Sequence, residues 1–161
     1  MTTFRTVATF ILGALAMTAW AGDPAFIEKA AQGGIAEVAA GQLASSKATN
    51  VDVRNFGAMM VRDHGAANEK LAVLAKSEGV TMPDAYGEEH AAMLKTLEAA
   101  DGTSFDQTYM SHMVEAHEKT VQLMKSEITT GQDPEVRAYA ESALPTVEKH
   151  LREARRITGQ E

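Results

Sequence analysis

Four stretches of this chain, each roughly 25 residues long, repeat apolar side chains at intervals of three and four, the pattern of helices with one apolar face. The first runs Ile27, Ala30, Gly34, Glu37, Gly41, Ala44, and the second Val53, Met60, His64, Ala67, Leu71, Leu74. Further along come Phe105, Met110, Met113, His117, Val121, Met124, Ile128, and then Val136, Ala140, Ala143, Val147, His150, Ala154, Ile157. Helices of this length measure ~37 Å at 1.5 Å per residue. Each must bury its stripe against the others, which predicts a four-helix bundle made of two helical hairpins. Burial is expected for Met60, Leu71, Met113, Val121, Leu144 and Val147, and exposure for Lys70, Glu78, Lys125 and Arg152. No segment alternates with period two between turn signals, so the expected class is all-α, without a sheet.

Helix boundaries are marked by capping residues, prolines and glycines. Asp23-Pro24 and Asp133-Pro134 place an N-cap acceptor before a proline at the first helical position, where the missing N–H costs nothing. Asn50 or Thr49 opens another helix, with Asp52 as a favourable first-turn charge. Ser104-Phe105-Asp106-Gln107 fits a capping box. Gly79, Gly102, Gly131 and Gly159 mark stops. The reading is helices near 24–47, 50–78, 85–100, 104–130 and 134–158, the short third one connecting the hairpins. Pro145 frees the Glu141 carbonyl and predicts a kink before His150. Lys149, Arg152, Arg155 and Arg156 lie toward the negative end of that helix's dipole.

The beginning of the chain reads as an address. Arg5 precedes an apolar run from Val7 to Trp20, and Ala19-Trp20-Ala21 supplies the small-x-small pattern of a signal-peptidase site. The run is short for a membrane span, and nothing later approaches ~20 continuous apolar residues. The expectation is a signal peptide over 1–21, a single helical-bundle domain over 22–161, and a periplasmic or secreted location without a transmembrane segment. Of 161 residues, 15 are basic and 22 acidic; losing Arg5 leaves the mature chain at −8, which argues against nucleic acid as a partner. The absence of cysteine excludes disulfides, thiolate zinc sites, iron–sulfur clusters and covalently attached haem. No nucleophile–base spacing, phosphate loop or dinucleotide fingerprint is present, so nothing here argues for an enzyme.

Three of the five histidines, His64, His117 and His150, replace an apolar residue within a stripe, and Glu37 does the same on the first helix. A buried carboxylate costs several kcal/mol unless it is paired or coordinated, so an inward Glu37 needs partners. Counted from the hairpin turns, Glu37 and His64 lie about 17 and 22 Å deep, His117 and His150 about 22 and 27 Å. One polar residue from each long helix near mid-depth predicts a convergent cluster with tips within about 4–8 Å, which a bound zinc would tighten to bonds of ~2.0–2.2 Å. His90 falls on a face with Tyr86, Met93, Leu94 and Leu97 and reads as packing. His112 reads as solvent-facing. Asp63 reads as an exposed helix charge, with orientation of a histidine as the alternative. Tyr109 either bonds into the polar layer or packs.

The run Phe26-Ile27, Ala31, Glu37-Val38 and Leu43-Ala44, followed by Asn50, Val53, Phe56, Met60-Val61, Asp63-His64, Ala67-Asn68 and Leu71, resembles bacterial exported domains of unknown function, number 4142. The second half carries the likeness through Gly102, Phe105-Asp106, Tyr109, Met113-Val114 and His117, then Leu144-Pro145 and His150-Leu151. The resemblance spans residues 24 to 155 and implies export and a ferritin-like helical fold. Many such proteins are labelled outer-membrane proteins, but no alternating strands of ~10 residues are available here to build a barrel. The resemblance implies no activity.

Di-iron bundle sites use Glu-x-x-His on two helices. The residues three before His64, His117 and His150 are Val61, Val114 and Val147, so that motif is absent. Three imidazoles and the Glu37 carboxylate suit Zn²⁺, Cu²⁺ or Ni²⁺ instead. Met60 and Met113, one turn from His64 and His117, either add soft ligands for copper or fill the core. The same four polar side chains also suit a metal-free hydrogen-bonded layer that fixes helix register, and non-covalent haem is a further alternative. Two functions therefore stand side by side: an exported bundle binding a divalent transition metal, and a metal-free envelope-associated interaction or stress-protective module.

Overall fold

The computed structural model describes residues 23–160, and all regular structure among them is helical. The expected leader over 1–21 and its cleavage site lie outside the described residues. The elements are α1 (Pro24–Lys47), α2 (Val51–Ser77), α3 (Gly87–Ala99), α4 (Gly102–Thr130) and α5 (Pro134–Thr158). Helix α1 pairs with α2 and α4 with α5. The two hairpins meet through α1 against α4 and α2 against α5, while α3 lies on α1 and α4. No helix among the described residues is long and apolar enough to cross a membrane.

Most of the punctuation operates as the sequence implies. Asp23 accepts from the Phe26 N–H, Asn50 from that of Asp52, and Asp133 from those of Glu135 and Val136. The capping box at Ser104 does not form. Helix α4 begins two residues earlier, at Gly102 with φ +56°, and no side chain caps it. Asp106 is used elsewhere: it accepts the N–H groups of Thr49 (3.0 Å) and Asn50 (2.9 Å) together with the Thr49 hydroxyl. A carboxylate taking several charge-assisted bonds from a turn pins the first hairpin to the second. Gly131 also departs from expectation, ending α4 at φ −57° rather than in the left-handed region.

Two apolar clusters fill the interior. One gathers Phe56, Met60, Phe105, Tyr109, Met113 and Ala154; the other gathers Phe26, Ile27, Leu71, Met124, Val136 and Ala140. On each long helix the polar residue of the stripe falls between them: Glu37, His64, His117 and His150. Met60, Leu71, Met113 and Val147 are buried as expected. Val121 and Leu144 are only half-buried, because each packs at the margin of a cluster rather than within it. Lys70, Lys125 and Arg152 are exposed, whereas Glu78 is half-buried. Pro145 sits inside α5 without ending it.

The approach of α1 to α2 depends on two glycines. A Cβ on Gly41 would lie 2.7 Å from the Gly57 carbonyl oxygen, and one on Gly57 would lie 2.8 Å from that of Gly41. The backbones therefore touch one turn away from Glu37, which brings this acid within reach of His64.

Candidate metal centre

The four stripe residues converge. Ring centroids of His64, His117 and His150 are separated by 5.7, 5.3 and 5.4 Å, and the residues are 7%, 0% and 1% exposed. Glu37, 5% exposed, places Oε2 2.9 Å from His64 Nδ1 and Oε1 3.6 Å from His117 Nδ1.

Each ring is held at one nitrogen. His64 Nδ1 faces Glu37, His117 Nδ1 donates to the Met113 carbonyl oxygen (2.8 Å), and His150 Nε2 donates to Asp63 Oδ2 (3.0 Å). Carbonyl and carboxylate oxygens only accept, so the proton sits on the bonded nitrogen and a neutral ring carries its lone pair on the other. Those other nitrogens, His64 Nε2, His117 Nε2 and His150 Nδ1, are buried without a hydrogen-bond partner. Each of the three rings offers one nitrogen such that all lie within 4.8 Å of one another. Metal-binding histidines show this pattern, with an oxygen acceptor fixing the tautomer and the lone pair turned to the ion.

Charge is distributed unevenly among the four. Burial acts to raise the Glu37 carboxyl, but the facing His64, His117 and His150 outweigh it and hold it at about 2. Burial disfavours the charged form of His64, yet the Glu37 charge and hydrogen bond prevail and push it above the usual imidazole value. His117 is lowered by burial. His150 is lowered to about 4 by burial, with the Asp63 hydrogen bond opposing. The cluster thus holds one carboxylate, two imidazoles, His117 and His150, pushed toward the neutral form, and a third, His64, pushed toward the protonated one.

Asp63 corrects the sequence reading, since its side chain is only 21% exposed and orients His150 from across the hairpins. Position 63 lies off the α2 stripe, and only the placement of α5 reveals what it meets. Tyr109 packs: its ring stacks on Phe105 at 5.9 Å and meets Phe56 edge-on, and its hydroxyl finds no partner. Burial raises that phenol strongly. His90 binds the Tyr86 carbonyl through Nδ1 at 2.8 Å, outside the cluster. His112 is half-buried rather than solvent-facing. Met60 and Met113 are fully buried members of the apolar cluster beside the histidines.

The model of a domain of unknown function, DUF4142, matches residues 13–157. The chain belongs to the DUF4142 family. Two solved structures share its fold. A DUF305 fragment from Deinococcus radiodurans superposes with a TM-score of 0.74 at 14% identity, covering 86% of this chain and 95% of that one. A DUF305 protein from Streptomyces coelicolor, provisionally described as secreted, gives a TM-score of 0.69 at 12% identity, covering 82% and 88%. At such identities the likeness concerns the fold alone. No curated protein matches this DUF4142 chain.

Proposed function

We propose that this DUF4142 domain is exported and binds one divalent transition-metal ion, zinc or copper, through His64 Nε2, His117 Nε2 and His150 Nδ1. The observation that supports this reading is the trio of buried, unpartnered ring nitrogens on rings whose other nitrogens are each fixed by an oxygen. A buried polar atom left without a partner costs about 1–3 kcal/mol, and three together in one layer are expensive to keep unless something occupies the space between them. Imidazole nitrogen suits Zn²⁺ and Cu²⁺, and three protein ligands leave a fourth position for water or an added ligand. Glu37, a candidate ligand on sequence grounds, meets the rings at Nδ1 and serves better as the acceptor that orients His64 and raises its basicity.

In this reading, residues 22–161 form one domain, a ferritin-like bundle with α3 as the link between hairpins. Imidazoles take the place of the Glu-x-x-His ligands found in di-iron bundles. The leader-like start favours a periplasmic or secreted site of action, where the ion or an envelope component is the partner.

The test is metal analysis and titration of protein purified without a histidine tag. One equivalent of Zn²⁺ or Cu²⁺ should bind and raise the melting temperature by mass action, and His117→Ala should remove both effects. A melting temperature indifferent to added metal, with no ion bound, would instead favour the metal-free layer and an envelope-associated or stress-protective role.

A further inference from the structure

The histidines are buried, His117 and His150 almost completely, so an ion needs a way in. A cavity of about 560 Å³ opens between α1, α3 and α4, and Glu37 lines it. This is the carboxylate that stands 2.9 Å from His64 Nδ1. Its second oxygen, Oε1, is buried and accepts no hydrogen bond. Holding His64 needs one oxygen only; the other stands 3.6 Å from His117 Nδ1, whose proton goes to the Met113 carbonyl, and so keeps acceptor capacity beside the cluster.

The outer walls of the cavity are suited to a cation. His90 and His112 line it, as do Glu89 and Glu115, together with Lys29 and Lys119. The bond from His90 Nδ1 to the Tyr86 carbonyl fixes a tautomer that leaves the Nε2 lone pair free for coordination. Lys119 neutralises the two acids at 3.3 and 2.9 Å, but all three side chains are more than half exposed. Ion pairs of this kind are weak in water and exchange readily with an arriving cation. Away from the cavity lining, Asp63, which holds His150, is clamped by Arg62 at 2.7 and 3.2 Å, which sets a guanidinium beside that carboxylate.

We propose that this cavity is the cation entrance of the histidine cluster. A hydrated divalent ion meets the carboxylates and imidazoles of the outer wall, reaches Oε1 of Glu37, and passes across that carboxylate to the three ring nitrogens. The proposal rests on the metal-binding reading and adds the route.

Loading kinetics test it, with Co²⁺ alone as the probe because its visible absorption reports the ligands it acquires. Ala92 is an exposed residue of α3 on the cavity wall, so Ala92→Trp narrows the mouth without touching the cluster. Glu89→Gln with Glu115→Gln removes the attracting charge and leaves Lys119 unpaired. Both variants should slow the appearance of the Co²⁺ spectrum, the charge variant by about tenfold, the lower end of what a charged cleft adds to an on-rate. Release to a chelator should slow in proportion for Ala92→Trp, leaving the equilibrium affinity unchanged. Unaltered loading in both variants, or faster loading in Arg62→Ala, would place the entrance at Asp63 and overturn the proposal. Failure of the unmodified protein to take up Co²⁺ at all would overturn the metal reading and the route together, a result separable from the first because it involves no variant.

Discussion

In the α1–α2 hairpin, Asn50 caps the second helix and Arg54, four residues on, donates to the carbonyls of Ala48 and Thr49. In the α4–α5 hairpin, Asp133 caps and Arg137, four residues on, donates to those of Gly131 and Gln132. The turns are alike, but the helices behind them are joined differently. Helices α1 and α2 meet backbone to backbone at Gly41 and Gly57, whereas α4 and α5 contain no glycine between Gly102 and Gly159 except Gly131 in their turn. Their contributions to the histidine layer differ as well. The first hairpin supplies His64 and both carboxylates, Glu37 and Asp63. The second supplies two imidazoles, one steadied by its own helix through Met113 and one by Asp63 from across the interface. The orientation of His117 is therefore intrinsic to α4, while that of His150 exists only once the hairpins dock.

The largest effect should come from removing a nitrogen. His64→Ala in one hairpin and His150→Ala in the other should each abolish stoichiometric metal binding in a calorimetric titration. Retention of tight binding in either variant would show that one hairpin suffices.

Removing an orienting acceptor should cost less, about 10–100-fold in metal affinity. Glu37→Gln should lie at the upper end and Asp63→Asn at the lower, because Glu37 is buried and the Asp63 side chain is 21% exposed, where water can replace it. Equal losses would mean that the two hairpins orient their ligands equally.

Backbone contact in the first hairpin predicts an opposed pair of glycine substitutions. Gly57→Ala forces α1 and α2 apart and should lower stability in urea by about 1–3 kcal/mol. Gly65→Ala, where a Cβ meets nothing within 4 Å, should raise it by about 0.4–1 kcal/mol.

The smallest effect should be the pH dependence of the metal-free protein, because its terms partly cancel. His150 is lowered to about 4, so its contribution is lost as pH falls from about 6.5 toward 4. Glu37, held at about 2, loses its contribution as pH falls from about 4.5 toward 2. His64 is raised, so its contribution is complete below 6.5 and is lost as pH rises through its folded value. Melting temperature should peak near neutrality and fall on both sides, more steeply toward acid. With metal present the alkaline loss should disappear, since binding requires His64 to give up its proton. A melting temperature that climbs steadily as pH falls from 7 to 4 would contradict the assigned partners.

Helical periodicity made much of this molecule legible. Four stripes, with the capping residues, prolines and glycines between them, located five helices to within about two residues at each end, the uncertainty usual for helix ends. They also singled out Glu37, His64, His117 and His150, because a polar residue at an apolar position has to find a partner inside. What stayed hidden depended on groups that no stripe displays. The acceptor for His117 is a backbone oxygen, which every residue possesses. Asp63 lies beside the stripe, and its role follows from where α5 is set down. Asp106 looked like part of a capping box, and only the folded chain brings the Thr49–Asn50 turn within its reach.

X-ray absorption at the metal edge of zinc- or copper-loaded, untagged protein examines the three nitrogens directly. For zinc the expected result is three imidazole nitrogens at ~2.0–2.1 Å with one further light ligand, losing one imidazole in His117→Ala. A shell made of oxygen alone, or one unchanged by that substitution, would contradict coordination by the cluster.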